Sequence, residues 1–202
     1  MKYINSFFKK KREVYLKDIL NLLNIKNKNS YKNILIDDIK NLEKAKKNDI
    51  TFFHNSKYKF SINTTKSKVI ITSKNLSKII SKSKIVIVVD NVLVAVAKTT
   101  EFFYPNSLDE KFENNLSDSD RKNKYKKVKF GLNVLLGENV KIGKNSTIGH
   151  NSIIESNVII GYNCHIGSNV IIKKAVVGNN VNILDGAIIG KKGFGFFPDK
   201  TK

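Results

Sequence analysis

From Phe130 onward, an apolar side chain recurs at every sixth residue of the chain, and we call this site the first position of a hexad. The first positions hold Phe130, Leu136, Ile142, Ile148, Ile154, Ile160, Ile166 and Ile172. The hexad that begins at Ile172 is one residue short, and the register resumes at Val177, Ile183 and Ile189. Amphipathic strands repeat with a period of about 2 and helices with a period of about 3.6, so this pattern predicts neither.

The second and fifth positions of the hexads are restricted as well. The second position is usually glycine, at Gly131, Gly137, Gly143, Gly149, Gly161, Gly167, Gly178 and Gly190. The fifth position is small or β-branched, as in Val134, Val140, Ser146, Ser152, Val158, Cys164, Val170, Val181 and Ala187. Such a repeat predicts a left-handed parallel β-helix of about 3.6 coils, in which three hexads form each triangular coil. We expect the first and fifth side chains to point inward, and glycine to relieve crowding where the backbone turns.

The register of the hexads makes two further predictions. Ile142, Ile160 and Val177 should stack on one interior face of the β-helix, because successive members are three hexads apart once the short hexad is counted. Three second positions lack glycine and hold Glu155, Lys173 and Leu184. We expect that the outer surface of the β-helix tolerates these side chains.

The first 130 residues contain no glycine, because all eleven glycines lie at or after Gly131. Strands are predicted there at residues 33–39, 50–53, 68–72 and 84–90, helices at 75–81 and 92–103, a strand that passes into a helix at 14–24, and a loop at 54–59. We therefore predict a small α/β domain at 1–104, a polar linker at 105–129 and the β-helix at 130–202, incomplete at its C-terminal end.

The chain is strongly basic, with 37 Lys and Arg residues against 17 Asp and Glu residues and a net charge of +20. A basic surface can bind nucleic acid, an anionic membrane or an acidic protein, but a lysine excess is also typical of proteins from AT-rich genomes. Arg12 and Arg121 are the only arginines. Because proteins that read nucleic acids usually use arginine for bidentate contacts, we expect no nucleic-acid partner.

The rest of the composition limits the cellular compartment and the kinds of chemical site that the sequence predicts. Cys164 is the only cysteine and the chain has three histidines, so we expect neither a disulfide nor a metal site. No apolar run reaches the roughly 18 residues that a membrane-spanning helix needs. The first twelve residues are charged and lack the apolar core of a secretory signal, which predicts a cytoplasmic protein.

Two motifs outside the hexads resemble a known family. The segment from Asp49 to Tyr58 reads Asp-Ile-Thr-Phe-Phe-His-Asn-Ser-Lys-Tyr and resembles the Ile-Thr-Phe-x-x-Asn-x-Lys-Tyr segment of the UDP-3-O-(3-hydroxyacyl)glucosamine N-acyltransferases, bacterial enzymes of lipid A synthesis. The resemblance continues through residues 69–71, 86–89 and the helix to Phe103. Gly193-Phe194-Gly195-Phe196 resembles the Gly-Phe-Gly-aromatic insertion of the same family, so the ordered motifs cover nearly the whole chain.

The resemblance implies a reaction and its partners. Members of the family transfer a 3-hydroxyacyl chain from acyl carrier protein to the 2-amino group of UDP-3-O-acyl-glucosamine, without a cofactor, and work as homotrimers. By resemblance, Phe52 and Tyr58 flank the uracil ring and Asn55 hydrogen-bonds its edge. These residue types suit the task, because aromatic faces stack on a base and an amide both donates and accepts hydrogen bonds. The structural alternatives are a core residue for Phe52, a turn former for Asn55 and a half-buried cap of the sheet for Tyr58.

The family's general base is a histidine in an Ile-Ala-His-Asn segment, roughly 40 residues beyond the Gly-Phe-Gly turn, where it deprotonates the attacking amine. The chain ends at Lys202, so the resemblance predicts an N-terminal fragment without that catalytic histidine. Ile148-Gly149-His150-Asn151 is similar to the motif but precedes the turn, and we expect His150 to be an exposed third-position residue. We expect His165 on the surface or in a subunit contact, and His54 in a solvated loop. The alternatives are a non-catalytic UDP-sugar-binding or trimer-assembly module, and an acyltransferase for another nucleotide sugar.

Overall fold

The computed structural model describes residues 7–26, 31, 33–107, 112–118 and 122–193. Within these ranges, residues 8–107 belong to one compact unit, which we call the α/β domain. Residues 112–193, together with Phe7, belong to a second unit, which we call the β-helix domain. Of the Gly-Phe-Gly-Phe motif, only Gly193 lies in the described part, and residues 194–196 lie outside it.

A three-stranded parallel sheet forms the centre of the α/β domain. Its strands are β3 (Ile50–Phe53), β4 (Val69–Thr72) and β5 (Ile85–Val88), with β4 in the middle. All four residues of β4 are buried, as expected for the central strand of a parallel sheet that is covered on both faces. The strand predicted at 84–90 corresponds to β5, of which only Ile87 is buried, because β5 lies at the edge of the sheet.

Helices cover both faces of this sheet. Helices α1 (Leu16–Leu22) and α4 (Val92–Phe103) contribute to a core with Ile50, Val69 and Ile71. On the opposite face, the short helices α2 (Lys59–Thr64) and α3 (Lys74–Ser77) contribute to a second core with Phe53 and Ile70. Side chains alternate between the two faces because successive residues of a strand point in opposite directions.

Three further predicted elements of the α/β domain differ from the structure. The strand predicted at 33–39 is reduced to β2 (Leu35–Ile36), which pairs antiparallel with β1 (Val14–Tyr15), and to a single bridge between Ile39 and Ile50. The loop predicted at 54–59 contains a 3-10 turn, Ser56–Tyr58, and the start of α2. The helix predicted at 75–81 spans only Lys74–Ser77. Helix α4 has the predicted bounds.

Two-residue strands, one per hexad, form the β-helix domain. They are β6 (Lys129–Phe130), β7 (Leu135–Leu136), β8 (Lys141–Ile142), β9 (Thr147–Ile148), β10 (Ile153–Ile154), β11 (Ile159–Ile160), β12 (His165–Ile166), β13 (Ile171–Ile172), β14 (Val176–Val177), β15 (Asn182–Ile183) and β16 (Ile188–Ile189). They assemble into three parallel sheets, in the orders β16-β13-β10-β7, β14-β11-β8 and β15-β12-β9-β6. Every third strand therefore stacks on the same face, which confirms the predicted left-handed parallel β-helix of hexapeptide repeats.

The interior of the β-helix follows the predicted register. Ile160 pairs with Ile142 on one side and with Val177 on the other, across the short hexad. Most first-position side chains are buried, and Phe130, Ile142 and Ile189 are half-buried. Fifth positions are also interior, and the two serines there, Ser146 and Ser152, are fully buried. Their hydroxyls donate to the backbone carbonyls of Gly161 and Gly167 over 3.0 and 2.9 Å, which satisfies them inside an apolar core.

The role predicted for glycine at the corners of the β-helix differs from the one that the structure shows. The backbone turns at the fourth position, where Asn133, Asn139, Asn145, Asn151, Asn157, Asn163, Asn169 and Asn180 adopt φ between 54° and 63°. Asparagine tolerates this left-handed conformation better than most side chains do. Second-position glycines permit close stacking of coils instead, because a Cβ added at Gly131 would lie 2.6 Å from the backbone nitrogen of His150.

Part of the polar stretch at 105–129 lies against the β-helix. Ser117 and Leu136 form an antiparallel bridge, with hydrogen bonds of 3.0 Å in both directions. The Tyr125 side chain packs against the β-helix core, and its hydroxyl donates to the Val140 carbonyl. Through these contacts, Ser117 and Tyr125, before β6, pack against the β-helix.

Candidate functional site

A short segment before β3 shapes one wall of the candidate site. Next to the bridge between Ile39 and Ile50, the Lys40 amide donates to the Ile50 carbonyl over 3.0 Å, which extends the sheet beyond β3. The chain then turns, because the Asn41 side-chain oxygen accepts from the Lys44 amide over 3.0 Å. Such a side-chain turn is a common property of asparagine. It buries Leu42 and leaves Asn41 and Glu43 exposed beside it.

The chain after β3 forms the opposite wall. The Asn55 side-chain oxygen accepts from the Lys57 amide over 3.0 Å and begins the 3-10 turn Ser56–Tyr58. A side chain that accepts from the first free amides stabilises the start of a helical turn. The turn continues into α2, whose residue Ile62 is buried in the core and anchors the segment.

These two walls flank an open cavity of about 270 Å³ in the α/β domain. Its lining consists of Asn41, Leu42, Glu43, Phe52, His54, Tyr58 and Ser61. The cavity lies at the carboxyl end of β3, an edge strand of the parallel sheet. Ligands of open parallel α/β sheets bind outside the carboxyl ends of the strands, so the cavity occupies a favourable place for a ligand.

Three aromatic rings follow one another along the cavity. The ring centroids of Phe52 and His54 are 5.9 Å apart, and those of His54 and Tyr58 are 5.5 Å apart. The Lys57 ammonium lies 4.8 Å from the centroid of the Tyr58 ring, within the range of a cation–π contact. The cavity therefore combines flat apolar surfaces, which suit a planar ring, with a positive charge near Tyr58.

The other lining residues are polar, apart from Leu42. The Ser61 hydroxyl donates to the Glu43 carboxylate over 3.4 Å, which links α2 to the turn after residue 40. The Asn41 oxygen is already used by the turn, so its amide NH2 group is the part that can donate to a ligand. An anionic carboxylate and an amide donor thus face the same cavity as the aromatic rings.

A partly buried hydrogen-bond network involves Asp38 and Lys40, just before the turn. The Tyr104 hydroxyl is shared between the two carboxylate oxygens of Asp38 at 2.8 and 2.9 Å, and the Lys40 ammonium lies 2.6 Å from Asp38. Burial raises the pKa of Asp38, but hydrogen bonds from Lys40, Tyr104 and the Ile39 amide outweigh it, so this pKa lies below its usual value. Burial and the bond to Asp38 raise the pKa of Tyr104, which keeps its hydroxyl protonated as a donor.

The structure brings together two of the three site residues predicted from the sequence. Phe52 and Tyr58 line the cavity, whereas Asn55 is not among the lining residues and uses its side-chain oxygen within the 3-10 turn. His54, expected in a solvated loop, is half-buried, and its ring lies within 6 Å of the rings of both Phe52 and Tyr58. The cavity is also lined by four residues that were not predicted from the sequence: Asn41, Leu42, Glu43 and Ser61. A single leucine between polar residues, in Asn41-Leu42-Glu43, was the one available signal for them in the sequence.

The histidines of the β-helix domain have structural partners. His150 is exposed, as predicted, and its Nδ1 accepts from the Leu132 amide over 2.9 Å. His165 is exposed and forms a 2.6 Å hydrogen bond with the Thr147 hydroxyl. Among the described residues, no group of three or more His, Cys, Asp and Glu side chains could hold a metal ion. No helix in the described ranges is long and apolar enough to cross a membrane.

Comparisons with known proteins match both domains. Residues 33–102 match the family model of UDP-3-O-(3-hydroxymyristoyl) glucosamine N-acyltransferase, LpxD, and residues 133–168 match the model of the bacterial transferase hexapeptide, six repeats. The chain is 43% identical over 172 residues to the UDP-3-O-acylglucosamine N-acyltransferase of Rickettsia prowazekii (strain Madrid E), which covers 84% of the chain and 50% of that protein. The enzymes of the same name from Rickettsia typhi (strain ATCC VR-144 / Wilmington) and Rickettsia akari (strain Hartford) are 42% and 41% identical, with the same coverage. The chain thus spans about half the length of the curated relatives it matches.

Proposed function

Because the chain belongs to the UDP-3-O-acylglucosamine N-acyltransferase family over most of its length, we propose that it supplies the nucleotide-binding domain and early β-helix coils of such an enzyme. The proposed substrate is UDP-3-O-acyl-glucosamine, the acyl donor is a 3-hydroxyacyl-acyl carrier protein, and the product is an intermediate of lipid A. The proposed working form is a cytoplasmic homotrimer. The relatives' names and the order of the two domains support this assignment.

The aromatic cavity is the observation that best supports nucleotide binding. Phe52, His54 and Tyr58 line it together, and adjacent rings lie within 6 Å of each other. Stacking of a base on aromatic side chains contributes about 1–3 kcal/mol per base. We propose that the uracil ring stacks against Phe52 and Tyr58, with Asn55 acting by holding the turn that carries Tyr58. Lys57, close to Tyr58, supplies a positive charge for the diphosphate.

Calorimetric titration of the 202-residue chain with UDP tests this proposal. We expect Tyr58→Ala and Phe52→Ala each to weaken UDP binding by at least about fivefold, because each removes one stacking surface. Tyr58 is 36% exposed, so its replacement should leave the fold intact even if the Phe52 variant is less stable.

Phe60→Ala is the matched control. Phe60 lies two residues after Tyr58, in α2, but is 81% exposed and outside the cavity lining, so its loss should leave UDP affinity unchanged. Equal weakening by the Phe60 and Tyr58 variants would contradict the proposed site, as would the absence of UDP binding to the folded wild-type chain.

A further inference from the structure

We propose that one face of the α/β domain docks onto an anionic lipid bilayer. Residues 50–89 contain eight lysines, no arginine and neither aspartate nor glutamate. Seven of these lysines are exposed, and Lys84 is half-buried. Apart from Lys57, none of them takes part in the proposed nucleotide site, so the docking surface does not depend on nucleotide binding.

The two helices of this segment cover a single face of the parallel sheet. Helix α2 packs through Ile62, and the α3 segment packs through Leu76 and Ile80, all in one apolar core with Phe53 and Ile70. The exposed lysines and large apolar side chains of these elements define what we call the α2/α3 face: Lys59, Phe60, Lys74, Lys78 and Ile79.

Two large apolar side chains are exposed among the lysines of this face. Phe60 is 81% exposed and Ile79 is 42% exposed. Each of them directly follows a lysine in the sequence, Lys59 and Lys78. This combination is typical of surfaces that bind a bilayer, because the apolar group enters the acyl boundary while the ammonium groups stay among the lipid headgroups.

The positive charge of the segment is not neutralised by ion pairs. Among the described residues, no lysine of 50–89 forms an ion pair with a carboxylate. Glu43, which accepts from the Ser61 hydroxyl over 3.4 Å, adds one negative charge beside α2. The excess of positive charge therefore remains available to an anionic partner outside the chain.

The opposite face of the sheet carries balanced charge. Its helices α1 and α4 each hold one lysine and one acidic residue, Lys17 with Asp18 and Lys98 with Glu101. Helices α2 and α3 hold lysine and no acidic residue. A lysine-rich composition alone would not separate the two faces in this way, so the one-sided charge indicates a surface with a partner.

The use of lysine favours a bilayer over a nucleic acid or an acidic protein. Nucleic-acid sites and protein interfaces usually use arginine, which forms bidentate contacts, and protein interfaces are depleted in lysine. Residues 50–89 contain no arginine. An anionic bilayer presents diffuse charge, which attracts lysines without requiring a fixed contact geometry.

Co-sedimentation of the full chain with lipid vesicles tests this proposal. We expect binding to vesicles of about 30% phosphatidylglycerol in phosphatidylcholine and little binding to phosphatidylcholine alone. Binding should be at least about tenfold weaker at about 0.5 M salt than at about 0.1 M salt, because salt screens the charges. Lys74→Gln combined with Lys78→Gln should weaken binding about 25-fold, since each lysine near an anionic surface contributes about fivefold. Phe60→Ala should weaken binding about tenfold through the loss of apolar contact with the bilayer.

Lys17→Gln combined with Lys98→Gln is the matched control, because it removes two positive charges from the helices of the opposite face. This control should bind vesicles like the wild type. Equal weakening by the two pairs would show that net charge rather than the α2/α3 face causes binding, and would overturn the proposal. Failure of the wild type to bind the anionic vesicles would also overturn it. Tighter binding to single-stranded DNA or to polyglutamate than to the vesicles, at equal salt, would assign the face to a polyanion instead of a bilayer.

Discussion

The two domains of this chain build their cores in different ways. In the β-helix domain, one rule repeats: an apolar first position, a small fifth position and asparagine at most fourth positions, once per hexad. In the α/β domain, each buried residue has its own surroundings, and the two faces of one sheet pack against different helices. A repeated rule makes each position predictable from its neighbours in sequence, whereas a core without a repeat depends on contacts between distant segments.

The same difference bears on where a ligand site can arise. A side chain substituted at one interior position of the β-helix must pack against the equivalent residues in the coils above and below. This packing limits the side chains that the position can accommodate. The turn at residues 41–43 and the segment 54–58 of the α/β domain repeat nowhere else in the chain and carry no such constraint. The cavity with mixed aromatic and polar lining lies in these segments.

The largest effect expected from this comparison is in the β-helix core. Ile154→Ala removes a fully buried first-position side chain that stacks between Leu136 and Ile172. Truncations of this kind cost about 2–5 kcal/mol of the free energy of unfolding. Ile153→Ala is the matched control, because the Ile153 side chain, at the sixth position of its hexad, is only half-buried. Chemical denaturation measures both variants, and equal losses would show that the interior register is wrong.

In the α/β domain, Tyr104→Phe should lower the free energy of unfolding by about 1.5–3 kcal/mol. The variant removes the hydroxyl that is shared between both oxygens of the buried Asp38 carboxylate. The matched variant Tyr31→Phe changes a half-buried tyrosine of the same domain for which no hydroxyl hydrogen bond is found among the described residues. A loss of stability that is equal in the two variants, measured by urea denaturation, would contradict the role of the network.

The same network makes stability depend on pH. Because the folded-state pKa of Asp38 lies below its usual value of about 4, its contribution is present above that pH and is lost as the pH falls through the folded-state pKa. The difference in stability between the wild type and Tyr104→Phe should therefore shrink at acid pH. Denaturation curves between neutral pH and about pH 3 check this, and a difference that stays constant would exclude the Asp38 carboxylate as the partner.

The smallest of these effects tests whether glycine in the hexads permits close stacking of coils or forms the turns. A Cβ at Gly131 would lie 2.6 Å from the His150 nitrogen, whereas a Cβ at Gly178 would have no atom of the described residues within 4 Å. Gly131→Ala should therefore cost about 1–3 kcal/mol through overpacking, and Gly178→Ala should be nearly neutral. If both variants lost the same stability in thermal denaturation, turn formation rather than close stacking of coils would explain the glycines.

The fold could be predicted further than the site. Period-six spacing determined which side chains stack inside the β-helix, including the pairing of Ile160 with Val177 across the short hexad. The fourth-position asparagines are visible in the sequence, but their left-handed backbone conformation is seen only in the folded coil. Glu43 and Ser61 could not be assigned to the cavity, because they are 18 residues apart and meet through the pairing of Ile39 with Ile50.

Chemical-shift mapping of the isotope-labelled chain during titration with UDP tests the central claim most directly, namely that the cavity of the α/β domain binds the nucleotide. We expect the largest shifts at the amides of residues 41–43 and 52–61, with saturation at a single affinity, and little change at residues 130–193. Shifts confined to the β-helix domain, or no shifts at millimolar UDP, would contradict the account.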